Sequence, residues 1–381
     1  MRPCRPTVLL ITRNLPPLLG GMERLNWHLA DELQRQADVC AVAPRGSAAC
    51  APEGVAVVEV VHRPIALFLL AALWKSVWLA RRVRPVSVIA GSGLIAPIAW
   101  LAARLSRARA IVYLHGLDIA LKNIVYRAAW LPAIRRMDRV FANSRATAQL
   151  ARDSGVRRDR IAIIPPGVHV DVAGPGNGEA FRGAFGLGPG PILLSVGRLT
   201  ERKGLREFVS DVLPQVVASC GEVQLVVVGD EAHDALVARS QSRESIQAAA
   251  DAHGVGNHIR FLGPITDWNV LSHGYRAAAV HVFPVREIPG DPEGFGMVAI
   301  EAAAHGLPTA AYATGGIVDA VSDGVSGRLV APGDGAALGL AIVELLTRPL
   351  PMAPMIAFAR GFAWSRFGER MRNDVLSTPT P

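Results

Sequence analysis

Short apolar runs alternate along the chain with longer stretches whose apolar residues recur at helical spacing. TVLLIT (7–12), DVCAVAP (38–44), VSVIAGS (86–92), ARAIVYLHG (108–116), RVFANS (139–144) and IAIIPPGV (161–168) form a first series. Runs this short and this continuously apolar predict strands covered on both faces. MERLNWHLADELQRQ (22–36) and LIAPIAWLAARLS (94–106) between them predict amphipathic or buried helices. Strand then helix, repeated, predicts parallel β-α-β units. A second series follows: PILLSVGRLT (191–200), VQLVVVGD (223–230), HIRFLGPI (258–265), AVHVFPV (279–285), TAAYAT (309–314) and SGRLVAP (326–332). Within it, GFGMVAIEAAAHGLP (294–308) predicts a helix that leaves through glycine and proline.

Residues 171–190 are rich in Gly and Pro and predict a linker. The expected organisation is a Rossmann-like domain over 1–170, a linker over 171–190, and a second Rossmann-like domain over 191–350. A C-terminal helix over 351–381, returning to the first domain, completes it. In MIAFARGFAWSRFGERM (355–371), Phe358, Phe362 and Phe367 predict one buried stripe. The fold class is α/β, two doubly wound domains facing a central cleft. Such sheets bind ligands outside the carboxyl ends of their strands, at the switch point.

Composition narrows the function. A chain of 381 residues implies two domains, and 50% hydrophobic residues exclude disorder. The net charge of +8 is uneven: residues 1–175 carry 24 Lys and Arg against 11 Asp and Glu, whereas 176–381 carry 16 against 21. A basic first half predicts an anionic partner, in order a membrane surface, a phosphorylated acceptor or a nucleic acid. No aromatic-interleaved basic motif supports nucleic acid, which is set aside. Arginine-rich coding background explains the same excess without a partner. Cys4, Cys40, Cys50 and Cys220 are scattered, without metal-ligand spacing, and predict reduced thiols in a cytoplasmic enzyme. The start reads as a buried strand, not as a signal peptide. The apolar stretch 65–84 breaks at Lys75, too early to span a bilayer. Two readings of it stand: a helix lying on the inner face of an anionic membrane, or a core helix with arginines at its solvent end.

Four segments carry chemistry. In PEGFGMVAIEAAAHGLP (292–308), Glu293 precedes a glycine turn and Glu301 falls in the second turn of the helix. Glycines let the backbone approach a ligand, the helix start suits a phosphate, and carboxylates accept from sugar hydroxyls. Both glutamates are expected to reach one elongated ligand. In SVGRLTERKG (195–204), Arg198 and Lys203 beyond a strand end predict a diphosphate clamp. Gly20 and Gly21, between first strand and first helix, offer amides to an anion or form a simple tight turn. His115 follows a buried strand in YLHGLD, and alone reads more readily as structural; Asp118 is expected to cap the next helix. No Asp-x-Asp pair occurs, so no metal is expected.

Together these motifs resemble the retaining GT-B glycosyltransferases of family 4, over about residues 7–335. The resemblance implies that Arg198 and Lys203 bind the donor diphosphate, and that Glu301 holds the ribose hydroxyls. It implies that Glu293 contacts the transferred sugar, with the amides of Gly294, Phe295, Gly296, Met297 and Val298 lining sugar and phosphate. His115 then sits near the reacting face, making His115 and Glu293 the catalytic pair. Gly20 and Gly21 approach the phosphate, and Gly263, Pro264 and Ile265 flank the base. It further implies retention of configuration without a metal or other cofactor. Departures are PPGVHVD, with Pro166 and His169 altered, Glu231 after VGD, and a longer VREIPGDPEGFG loop. The long loop favours a GDP-mannose or GDP-rhamnose donor. The acceptor is expected to be lipid-linked or saccharide, in lipopolysaccharide, O-antigen or exopolysaccharide assembly. Two other readings remain, a nucleotide-sugar epimerase of the same fold and a non-catalytic nucleotide-sugar-binding protein. A phosphorylase would need a pyridoxal-phosphate lysine, and Lys75, Lys122 and Lys203 offer no convincing site.

Overall fold

The computed structural model describes residues 5–121, 123–170, 177–231 and 240–376. Cys4, Lys122 and residues 171–176 of the expected linker lie outside them, as do 377–381. The chain divides into two compact units, one running to Gly167 and resuming at Trp364, the other Val168–Ala363.

The first unit holds a seven-stranded parallel sheet: β1 Thr7–Ile11, β2 Asp38–Pro44, β3 Ala56–Val60, β4 Ser87–Ala90, β5 Arg109–Leu114, β6 Arg139–Ala142 and β7 Ile161–Ile163. Their order is β3-β2-β1-β4-β5-β6-β7. β1 is central, with Leu9 paired to Cys40 of β2 and to Val88 of β4. The chain reverses its direction of winding between β1 and β4, so a crevice-forming switch point falls there. β3 was not expected from the sequence. It is a sheet-edge strand, mostly part-exposed and carrying Glu59, so it lacks the unbroken apolar run of a covered strand.

The second unit holds a six-stranded parallel sheet: β8 Ile192–Val196, β9 Gln224–Val228, β10 Ile259–Gly263, β11 Val280–Phe283, β12 Thr309–Tyr312 and β13 Gly327–Val330. Their order is β10-β9-β8-β11-β12-β13, with the switch point between β8 and β11. Apolar clusters lie on both faces, one around Phe208, Val227 and Ile342, others around Phe283 with Ile300 and around Leu194 with Tyr275.

Three boundaries differ from expectation. Inside the stretch expected as linker, Gly178–Ala184 is a helix capped by Asn177, and Phe181 is buried in the second unit. The chain passes between units instead at 167–168 and 363–364. The C-terminal segment is also not one helix. Met352–Arg360 packs in the second unit, whereas Trp364–Val375 belongs to the first. The phenylalanine stripe is divided accordingly: Phe358 and Phe362 join the second-unit core, and Phe367 faces Tyr113 and Trp364 in the first. Polar bonds hold the last helix there: Arg372 pairs with buried Glu32 at 2.7 Å, and Ser87 donates to the Val375 carbonyl at 2.7 Å.

The helix Ile65–Val83 buries Phe68, Ala72, Ser76, Leu79 and Ala80 and leaves its opposite face exposed. Among the described residues, no single helix is long and apolar enough to cross a membrane. Cys40, Cys50 and Cys220 are free thiols.

Candidate functional site

The second-unit site begins where β8, β9 and β10 end. Gly197 N–H donates to the Val228 carbonyl at 2.9 Å, and Gly229 N–H donates to the Gly263 carbonyl at 2.9 Å. Gly229 has φ 142°, and a Cβ there would lie 2.0 Å from the Gly197 oxygen. Only glycine permits this approach of two strand ends. Arg198, exposed, projects from the resulting turn. Pro264 is exposed and Ile265 half-buried just beyond β10.

A short turn, Glu201–Lys203, then brings three further charged groups together. Lys203 Nζ lies 2.8 Å from Glu293 Oε2, and Arg202 donates to the same oxygen. Arg202 also pairs with Asp291 at 3.2 Å. Lys203 Nζ sits 4.4 Å above the ring of Phe283, the last residue of β11. The cluster therefore occupies the carboxyl end of β8 and β11, beside the switch point.

With Arg198 nearby, three cations face two carboxylates. Burial opposes ionisation of Glu293, but the Arg202 and Lys203 charges override it and hold its pKa at about 2. The Lys203 pKa is lowered as well, which disfavours its ammonium: burial, with repulsion from Arg202 and Arg198, outweighs the attraction of Glu293. Buried His281 on β11 is lowered to about 3, by burial first and by Lys203 second, and is neutral. Two causes act together here, burial, which comes first for Lys203 and His281, and an excess of positive charge. An arriving dianion would relieve it.

Glu301 lies in the helix Met297–Ala304, which starts at Gly296 without a side-chain cap. Gly296 has φ 92°, and a Cβ there would meet the Phe283 ring at 2.8 Å. Phe295 is buried with its ring 5.6 Å from Phe362, so only its backbone is available to a ligand. The half-buried Met297 and Val298 open the helix, with Gly294 just ahead of it. The Glu301 carboxylate is buried and accepts from the Tyr275 hydroxyl at 2.8 Å. His305 stacks on Tyr275. Its Nδ1 donates to the Glu301 carbonyl at 2.7 Å, which leaves Nε2 to accept from Ser272 at 2.7 Å. Burial lowers its pKa and favours this neutral form.

The two glutamates have separate protein partners, Arg202 and Lys203 for Glu293 and Tyr275 for Glu301. Arg198 and Lys203 both act on the Glu293 charge, and Lys203 bonds to it. Sequence reasoning missed Arg202, Asp291, Gly315 and Gly316. Gly316 N–H donates to the Glu293 carbonyl at 2.9 Å, and a Cβ at Gly316 would lie 2.0 Å from the Gly294 oxygen. The glycine pair just beyond β12 was the available signal.

The first unit carries the remaining predicted residues. His115 follows β5; its Nε2 donates to the Gly91 carbonyl at 2.9 Å. Asp118 does not cap its own helix. It accepts from the amides of His115 (2.9 Å) and Gly93 (2.8 Å), tying the ends of β5 and β4 together. Gly20 and Gly21 are exposed at the start of the helix Gly21–Gln34. A Cβ on Gly20 would lie 2.4 Å from Glu23 Oε2, and Asn14 donates to Oε1 of the same carboxylate at 2.6 Å. This turn thus faces a carboxylate. Among the described residues, no group of three His, Cys, Asp or Glu could hold a metal ion.

Two parallel sheets of the same strand order, one ending in a cation-rich glycine turn, define a class: two-domain nucleotide-handling proteins of the doubly wound type. Residues 19–172 match the family described as Glycosyltransferase Family 4, and residues 190–348 match Glycosyl transferases group 1. The chain thus has the GT-B fold, with a glycosyltransferase domain matched in each unit. A D-inositol 3-phosphate glycosyltransferase of Geodermatophilus obscurus is 36% identical over 239 residues, 61% of this chain and 51% of the relative. The chain thus spans about half the length of the curated relatives it matches. The solved structure of Anabaena HepE in complex with UDP is similar in fold, with TM-score 0.79 and 19% identity, over 97% of this chain and 99% of that one. WaaG, a glycosyltransferase involved in lipopolysaccharide biosynthesis, gives TM-score 0.68 and 18% identity over 96% and 99%.

Proposed function

We propose that the protein transfers a hexosyl or 6-deoxyhexosyl group from a nucleoside diphosphate sugar to an acceptor hydroxyl, with retention and without a metal. The observation that carries this reading is the Arg198–Arg202–Lys203–Glu293–Asp291 cluster at the switch point, where positive charge exceeds negative. A departing nucleoside diphosphate develops negative charge, and fixed cations in a partly dry site stabilise it. In the proposed step the anomeric carbon–phosphate oxygen bond breaks as the acceptor oxygen bonds on the same face. The acceptor proton passes to the departing phosphate.

Arg198 and Lys203 hold the diphosphate in this reading. Glu301, already oriented by Tyr275, takes the ribose hydroxyls. Glu293 takes the sugar hydroxyls, and His115 lies on the sugar's other side. Gly20 and Gly21 approach the phosphate, and Gly263, Pro264 and Ile265 flank the base. The long loop before Glu293, which supplies Asp291, motivates a GDP-mannose or GDP-rhamnose donor. The acceptor is a lipid-linked sugar of polysaccharide or lipopolysaccharide assembly, reached at the anionic inner face of a membrane. A phosphorylated soluble acceptor is the second reading. It is favoured by the same basic first half and by relatives named D-inositol 3-phosphate glycosyltransferases.

A thermal-shift panel of UDP, GDP, ADP and their sugars tests the donor site, since a ligand of the folded state raises Tm by mass action. GDP is expected to give the largest shift, and a larger UDP shift overturns the donor assignment. Incubation with donor alone, then with acceptor, tests the reaction by NMR. Slow hydrolysis followed by an α-linked product from an α-donor supports retention. Epimerised donor in the absence of acceptor points to the epimerase, and an inverted linkage refutes the mechanism.

A further inference from the structure

The helix Ile65–Val83 has a second face that the first-unit core does not use. Leu67, Leu70, Trp74 and Trp78 are 48%, 65%, 64% and 46% exposed. Their spacing places them on one stripe of the helix, opposite the buried Phe68, Ala72 and Leu79. A contiguous exposed stripe of large apolar residues marks an interaction surface, unlike a single exposed leucine.

The charges on the helix itself are of one sign. Arg81 and Arg82 continue toward the helix C-terminus and Arg84 follows. Lys75 Nζ lies 4.8 Å from the Trp74 ring centre, and the Arg82 guanidinium 5.4 Å from that of Trp78. No Asp or Glu occurs between Glu59 and Asp118, a stretch holding eight Lys and Arg. An apolar stripe with two tryptophans, rimmed by cations, is complementary to a lipid headgroup layer: indole and leucine enter the acyl boundary and ammonium and guanidinium meet phosphate. The helix is not long and apolar enough to cross the bilayer. Its other face is fixed in the protein core, so it lies in the membrane plane.

We infer that this face docks the first unit on an anionic phospholipid bilayer, with Leu67, Leu70, Trp74 and Trp78 inserted and Lys75, Arg81 and Arg82 at phosphate level. The inference names the surface behind the membrane-side reading above and rests on that reading for its purpose. The binding itself needs no donor or acceptor.

The full chain is floated with vesicles of phosphatidylcholine alone or with phosphatidylglycerol, at low and high salt. Binding is expected only with phosphatidylglycerol, falling as salt screens the charges. Each basic group near an anionic leaflet is worth about fivefold in partition, so Arg81→Glu with Arg82→Glu should reduce binding well over tenfold. Trp74→Ser with Trp78→Ser should lose both binding and the blue shift of tryptophan emission on vesicle addition. Both double variants alter exposed residues, and each should keep the wild-type Tm and nucleotide thermal shift. Unchanged vesicle binding in either variant overturns the inference. So does equal binding to neutral vesicles, or a dimer that dissociates on Trp74→Ser with Trp78→Ser. Loss of nucleotide shift in the wild type would instead sink the functional reading and leave this surface standing.

Discussion

Replacing Arg202 by Met probes the second-unit cluster most directly. Arg202, Asp291 and Glu293 are each less than one-fifth exposed, so solvent does little to screen them. Removing one partner of a buried ion pair costs about 3–5 kcal/mol, because the remaining charge is left uncompensated. Glu293 keeps Lys203, so the cost falls somewhat below that range, to ~2–3 kcal/mol. In a unit of this size each kcal/mol lowers Tm by about 2–4 °C, so a fall of roughly 5–10 °C is expected. The function should suffer separately. With Arg202 gone, Lys203 becomes the main counter-ion of Glu293 and is less available to a phosphate, so nucleotide affinity should fall about tenfold by calorimetry. Arg202→Lys should restore part of the Tm but not the bridge to both carboxylates. The pH dependence supplies a third readout. Glu293 is held near 2, below its ordinary value of 4.5. A depressed carboxylate stabilises the fold fully above its unfolded pKa and loses that contribution as pH falls toward its folded pKa. Wild type should therefore lose stability between about pH 5 and 2 more steeply than Glu293→Gln. A Tm within 1 °C of wild type in Arg202→Met, with nucleotide affinity unchanged, refutes the idea that this arginine holds the cluster together.

The other predictions are simpler. His115→Ala should lower transfer about a hundredfold or more while leaving the nucleotide thermal shift intact, and an unchanged rate removes His115 from the reaction. Gly229→Ala adds a Cβ 2.0 Å from a backbone oxygen at positive φ. It should cost at least about 3 kcal/mol and abolish nucleotide binding together with second-unit stability, read by calorimetry. Arg372→Ala leaves buried Glu32 only the half-exposed Arg35. It should cost ~2 kcal/mol and speed proteolysis of the helix Trp364–Val375, and equal proteolysis rates would show the pair is not what anchors it.

The sequence showed the two sheets because a covered parallel strand is an unbroken apolar run, and that signal needs no tertiary context. It showed less well where each ladder stops. The runs 191–200, 223–230 and 258–265 outlast the strands Ile192–Val196, Gln224–Val228 and Ile259–Gly263 by two to four residues. The overrun carries Gly197, Arg198, Gly229, Asp230, Pro264 and Ile265, where the backbone leaves the sheet and the candidate site begins. Apolar residues and single backbone bonds, such as Leu199 N–H to the Asp230 carbonyl at 2.8 Å, continue into these turns while the regular ladder does not. The C-terminal break was hidden for a related reason. Phe358, Phe362 and Phe367 fit one helical stripe, and nothing local says that the first two pack in one unit and the third in the other.

Arg202 was hidden by its neighbour. In GRLTERKG the glycine-flanked Arg198 and Lys203 account for a phosphate site by themselves, so a third cation looked redundant. Its purpose lies ninety residues on, in Asp291 and Glu293, and such a pairing has no sequence signature. The six strands of the second sheet repeat the order of the first six in the other, so topology gives no reason to prefer either as the donor site. Charge does. The glycine turn after β1 faces Glu23, which Asn14 holds in place, whereas the turn after β8 leads to Arg202 and Lys203, more cations than Asp291 and Glu293 neutralise once Arg198 is counted. The turn after β8 is therefore the more cation-rich of the two, and fixed cations attract an anionic donor. That difference, with the fold common to both halves, is the physical reason for proposing the second unit as the donor side.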